Sequence, residues 1–146
     1  MQRDLLLEQI AFFLRAAPDA QARQNYEALQ AAVTQQSVPP ELVPRLEAIL
    51  EVSLSGDRLR RTLGPAAQLS LHELFQKTPR GQARAAEIGT LNRALARLRG
   101  GTLTEIGAAQ RGPGAYALTI ATTACRIVVR LDTDGVRVES LDVDLD

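Results

Sequence analysis

Apolar residues recur at spacings of three and four through the first two-thirds of the chain and at spacings of two through the last third, with the change of period at Gly100-Gly101. Leu6, Ile10, Phe13 and Ala17 form one helical stripe, and Ala22, Tyr26, Leu29 and Val33 a second. Pro18 lies between them, able to end the first helix and to occupy the first turn of the next, so residues 3 to 35 read as an antiparallel helical hairpin. After the break at Val38-Pro39-Pro40, a third helix holds Pro44 in its first turn, turns Val43, Leu46, Leu50 and Leu54 inward and stops at Gly56. Asp57 caps a short helix through Leu63, which Gly64-Pro65 ends. Ser70 and Glu73 have capping-box spacing, and Leu69 and Leu74 that of a hydrophobic staple, which predicts a helix from about Leu71 to Lys77. Thr78 then caps a helix over 79–99 with Pro79 in its first position. Its stripe is Ile88, Leu91, Leu95 and Leu98. Arg93 and Arg97 point away from that stripe, whereas Arg84 falls in line with it and requires a partner.

Beyond the glycines the expected registers rest on side-chain chemistry. With Thr122-Thr123 at a hairpin tip, Ile120 faces Cys125, Leu118 faces Ile127 and Tyr116 faces Val129, all on one apolar face. Asp134-Gly135 is a two-residue turn signal that pairs Asp132 with Arg137, Leu131 with Val138 and Arg130 with Glu139. The apolar phase then flips to Leu141, Val143 and Leu145, which calls for a bulge near Glu139-Ser140 and sets Val129 against Leu141, Ile127 against Val143 and Arg126 against Asp144. Asp142 and Asp146, left unpaired, keep the last strand soluble as a sheet edge. A first strand around Leu103 to Ala108 alternates poorly, with Gln110 to Gly114 as the following loop. The fold class is therefore α+β: N-terminal helical hairpins followed by a C-terminal three- to four-stranded antiparallel meander. Residues 1–56 read as a helical hairpin or oligomerisation region and 57–146 as the remaining helices and the sheet, either separate from 1–56 or in one compact domain with it.

Composition narrows the class. With 146 residues, 45% of them hydrophobic and 23% charged, the chain is that of an ordinary folded protein. No apolar run reaches the length of a membrane span, and Asp4 and Glu8 interrupt the first one, unlike a signal peptide; no membrane partner and a cytoplasmic location are expected. Formal charge is zero but uneven: residues 55 to 111 carry +6 and residues 132 to 146 carry −5. The strand pairing above accounts for Asp132, Glu139 and Asp144 as cross-strand partners of arginines, which favours a structural origin over an acidic recognition tail.

Candidate chemistry is sparse. His72 and Cys125 are each the only residue of their kind, so neither a zinc site nor a cysteine–histidine nucleophile pair is encoded within one chain. Cys125 falls on the inward face of its strand, and His72 on a half-exposed helix face. No phosphate-binding glycine motif, nucleophile elbow or dinucleotide fingerprint occurs, so no catalytic residue, metal or cofactor is assigned and no enzymatic activity is expected.

LSLHELFQKT, NRALARLRGG and LTEIGAAQRGPGAYALTI carry a resemblance of residues 69 to 121 to winged-helix DNA-binding domains, as second helix, end of recognition helix and wing. The stretch joining the first two is longer than the usual tight turn, and two further strands follow the wing. The resemblance implies duplex DNA as a partner, with Arg80, Arg93, Arg97, Arg99 and Arg111 as contact residues. The residues themselves favour a protein–protein interaction or oligomerising adaptor, chaperone-like in character: helical stripes and an exposed sheet edge each accept a partner element, and Tyr26, Leu29 and Val33 are the expected homodimer interface.

Overall fold

The computed structural model describes residues 1–143. They contain six helices followed by a four-stranded antiparallel meander, in two compact units, Met1–Gln82 and Ala83–Asp146. The third, fourth and fifth helices pack with the N-terminal hairpin in one core.

In the first unit, α1 (Gln2–Arg15) and α2 (Ala20–Thr34) form the hairpin, and Asp19 rather than Pro18 begins its second arm, its carboxylate accepting the Ala22 N–H at 2.7 Å. A 3-10 turn at Pro40–Leu42 leads into α3 (Val43–Ser55), and α4 spans Arg58–Leu63. The core of this unit is Leu6, Ile10, Leu29, Val33, Leu46, Ile49, Leu50, Leu59, Leu71 and Phe75. Each such buried aliphatic side chain contributes about 1.5–3 kcal/mol relative to exposure, so the unit is held chiefly by these stripes. The expected capping box at Ser70 is not one. Helix α5 runs from Pro65 to Gln76, because Pro65 occupies a helix N-terminal position directly after Gly64, and Ser70 lies buried inside it.

Thr78 does cap the next helix, α6 (Pro79–Leu95). Its hydroxyl accepts the Gly81 N–H at 3.1 Å and donates to the Phe75 carbonyl at 2.7 Å. The two helices approach so closely there that a Cβ at Gly81 would overlap the Phe75 carbonyl. The Glu47 carboxylate accepts the Arg80 N–H at 2.8 Å, taking a second amide of the first turn.

In the second unit, α6 continues through a 3-10 turn at Ala96–Leu98 into β1 (Leu103–Gly112), β2 (Ala115–Thr122), β3 (Cys125–Asp132) and β4 (Gly135–Val143), hydrogen-bonded in that order. The sheet thus has four strands, with β1 longer than its poor alternation suggested and only Pro113-Gly114 left as its loop; Gly114 takes φ +69° there. Both expected registers are corrected by one residue on each strand. Ile120 pairs with Ile127, Leu118 with Val129 and Tyr116 with Leu131, while Asp132 pairs with Gly135, Leu131 with Val136 and Val129 with Val138. The cause is the same at both turns. Thr122 offers its hydroxyl to the Ala124 and Cys125 N–H groups at 3.2 and 3.3 Å, and Asp132 accepts the Asp134 N–H at 3.0 Å. A side-chain acceptor before a turn captures the loop amides, so Thr122 leaves the expected tip and Asp132 moves up to its loop, each now closing the loop from the strand end. The bulge does occur at Glu139, between the pairs Val128–Ser140 and Val129–Val138. Past it, Ile127 meets Leu141 and Arg126 meets Asp142; the expected partner Asp144, like Leu145 and Asp146, lies outside the described residues.

Candidate interaction surface

The registers sort the sheet into two faces. On one face lie the rows Ile106–Ile120–Ile127–Leu141, Ala108–Leu118–Val129–Val138 and Gln110–Tyr116–Leu131–Val136. Leu91, Ala94 and Leu95 of α6, with Leu98, pack there against Leu118, Cys125, Ile127, Val129, Val136, Val138 and Leu141. Arg84 finds the partner its position demanded: it donates to the Asp134 carbonyl at 2.9 Å, tying α6 to the β3–β4 turn.

This cover stops short of the β1 column. Ile106 is 66% exposed and Tyr116 49%, so the inward placement expected for Tyr116 is wrong; of its row, Val136 packs with the α6 cluster and Tyr116 does not. Ile88, expected in the packed stripe, is 47% exposed, one turn of α6 before the sheet contacts begin at Leu91. Every residue of β1 from Leu103 to Arg111 is exposed, on both faces. The strand that sequence patterning defined least well is therefore the one with the most free surface. Its signal was present as the run Gly107-Ala108-Ala109, which lacks alternation because neither face is buried.

The two outer strands differ as edges. Irregularities flank Glu105–Gln110 in β1, leaving six residues in uninterrupted register, among which Glu105 is the one charge. In β4 the Glu139 bulge breaks the ladder mid-strand, and Arg137, Glu139 and Asp142 stand along it. Bulges and charges of this kind block strand addition.

Charge on the sheet is largely paired internally. Asp132 holds both Arg130 at 3.0 Å and Arg137 at 2.8 Å, which relieves the opposition of those two arginines across β3 and β4. Partial burial alone would raise the Asp132 carboxyl, but the Arg130 hydrogen bond, the Asp134 amide and the charges of Arg137 and Arg130 outweigh it and hold the group below its ordinary value. The pairing of Asp132 with Arg137 is thus as expected, whereas Arg130 does not take Glu139. Glu139 instead meets Arg111 at 3.6 Å, spanning the sheet from β1 to β4, and Arg126 meets Glu105 at 3.4 Å.

The candidate site residues fall into three groups. Arg80 is held by Glu51 at 2.7 Å and Glu47 at 4.0 Å, and Arg111 by Glu139. Arg93 is exposed and bonded to Thr90 at 3.0 Å, while Arg97 and Arg99 are exposed with no hydrogen bond or ion pair among the described residues. Tyr26, Leu29 and Val33 form no open interface: Leu29 and Val33 are buried in the core of the first unit, where the hairpin uses its stripe on itself, and Tyr26 is half-buried against Phe13 with Arg45 over its ring. His72 is exposed beside a shallow groove with Leu54, Pro65, Gln68 and Leu69, and Cys125 is buried under α6 as its strand position required. Among the described residues, no group of three histidine, cysteine or acidic side chains is arranged to hold a metal ion, and no helix is long and apolar enough to cross a membrane. No protein-family model, curated protein or solved structure matches the chain.

Proposed function

We propose that this is a non-enzymatic protein-binding module that accepts an extended segment of a partner along β1. The observation that carries this reading is the exposure of β1 over nearly its whole length, beside a sheet face that α6 leaves half covered. An added strand would take its affinity from the backbone groups of the free edge and its selectivity from side chains set against Ile106 and Ala108 on one face and Glu105 and Gly107 on the other. A library of displayed random peptides tests it. Wild-type protein is expected to enrich extended, alternating sequences, and a Gly107→Pro, Ala108→Pro variant, folded by circular dichroism, to enrich none. Equal enrichment on both, or none on the wild type, overturns the reading.

A second reading, duplex DNA as the partner, draws on Arg97 and Arg99, exposed just after α6 and without partners among the described residues. It predicts binding whose affinity falls steeply with salt and collapses in an Arg97→Glu, Arg99→Glu variant. Absence of binding at low salt removes it.

A further inference from the structure

We infer that the strand added at β1 is the β1 of a second copy of this chain, paired antiparallel about a twofold axis with Ala108 against Ala108. The inference rests on the reading of β1 as an open edge and adds the identity of the occupant.

Charge decides the occupant and the register. β1 carries Glu105 near one end and Arg111 near the other, and these are its only charges. A strand with opposite charges symmetric about its centre is complementary to itself when reversed. With Ala108 on the axis, Ile106 stands opposite Gln110 and Gly107 opposite Ala109 within the regular run, and Glu105 of each copy comes beside Arg111 of the other, at the irregularity that ends that run. Moving the register by one residue in either direction removes both charge matches at once. The axis therefore passes through the smallest side chains of the strand, where two copies meet without steric cost.

The in-chain partners of these charges do not prevent the exchange. Arg126–Glu105 and Arg111–Glu139 are long and exposed, at 3.4 and 3.6 Å, and such pairs contribute little and re-form readily. Glu105 has oxygens enough for Arg126 of its own chain and an incoming Arg111 together. The same pairing extends the partly covered sheet face: Ile106 of each copy lies in a row that continues through Ile120 and Ile127, so the two sheets join into one eight-stranded sheet whose uncovered apolar strips meet at the axis. The second edge, β4, ends that sheet, because its bulge at Glu139 stops further addition and closes the assembly at two.

An edge pairing over six or seven residues is smaller than a standard interface of roughly 1,600 Å², so the dimer is expected to dissociate at accessible concentrations. Sedimentation equilibrium over a wide concentration range reads it directly, on the wild type and on Glu105→Arg, Arg111→Glu and the Glu105→Arg, Arg111→Glu double variant. Both substituted positions are exposed, and circular dichroism verifies that each variant is folded. Either single reversal places like charges together twice across the axis and is expected to weaken association by about tenfold or more, while the double reversal restores it. A monomer at every concentration overturns the inference, as does a dimer indifferent to the single reversals or one that the double reversal fails to rescue. A monomer that still enriches extended peptides in the display experiment removes the second copy alone; loss of both removes the open-edge reading with it.

Discussion

Ile106 and Ile127 occupy the same row of the same sheet face, two strands apart, yet one is 66% exposed and the other fully buried. The residue type, strand geometry and face are identical. What differs is that Leu91, Ala94, Leu95 and Leu98 pack against Ile127 and its β3 neighbours, whereas no β1 residue belongs to that cluster among the described residues. A sheet that alternates correctly still needs a second layer to use its apolar side chains, and here that layer is one helix wide. The β3 side carries the packed core of the sheet, and the β1 side is left exposed.

The comparison can be broken most directly by deleting the same atoms from both positions. Ile127→Ala opens a cavity under α6 and is expected to cost about 2–5 kcal/mol in denaturant unfolding. If it costs less than 1 kcal/mol, the helix does not cover β3 as described. Arg84→Ala comes next. It removes the 2.9 Å bond to the Asp134 carbonyl that helps to hold α6 over the β3–β4 end, and a loss of about 1 kcal/mol is expected, with faster amide exchange in β4 and none in β1. An unchanged exchange pattern would mean that α6 is seated by apolar contacts alone.

Acid sharpens the contrast further. The folded-state pKa of Asp132 is lowered, so its contribution is fully present above the unfolded carboxylate value and is lost as pH falls through the folded one. Asp132→Asn is therefore expected to flatten the decline of stability below about pH 4, with little change in slope near neutrality. A variant with the wild-type acid limb would show that Arg130 and Arg137 do not hold this carboxylate. Ile106→Ala, the counterpart of the first substitution, should alter monomer stability by no more than about 0.5 kcal/mol in dilute solution. A loss near that of Ile127→Ala would place β1 under a cover of its own.

Much of the fold was legible because its signals are local. Thr78 and Pro79 mark the start of α6, the glycines at 100 and 101 end the helical period, and the phase flip at Ser140 locates the bulge at Glu139. The errors came where a local signal had a competitor. Ser70 and Glu73 matched a capping box, but Pro65 had already started the helix. Thr122 and Asp132 captured the turn amides with their side chains and moved both hairpins by one residue, leaving the apolar face intact because both strands shifted together. The candidate surface was harder to see. Tyr26, Leu29 and Val33 form as good a stripe as any interface would, and a stripe does not state whether its partner is in the same chain. Gly107, Ala108 and Ala109 gave only weak alternation, which is also how a loop reads.

By itself the amino-acid sequence determined the element types, the change of period and the face on which each strand residue lies, since these follow from spacing along one segment. Which residues of a face are covered was decided only in three dimensions. Coverage of Ile127 and exposure of Ile106 depend on where α6 lies across the sheet, and that position is set by Arg84 meeting a carbonyl fifty residues away and by apolar contacts as distant in sequence. Such contacts have no period to read.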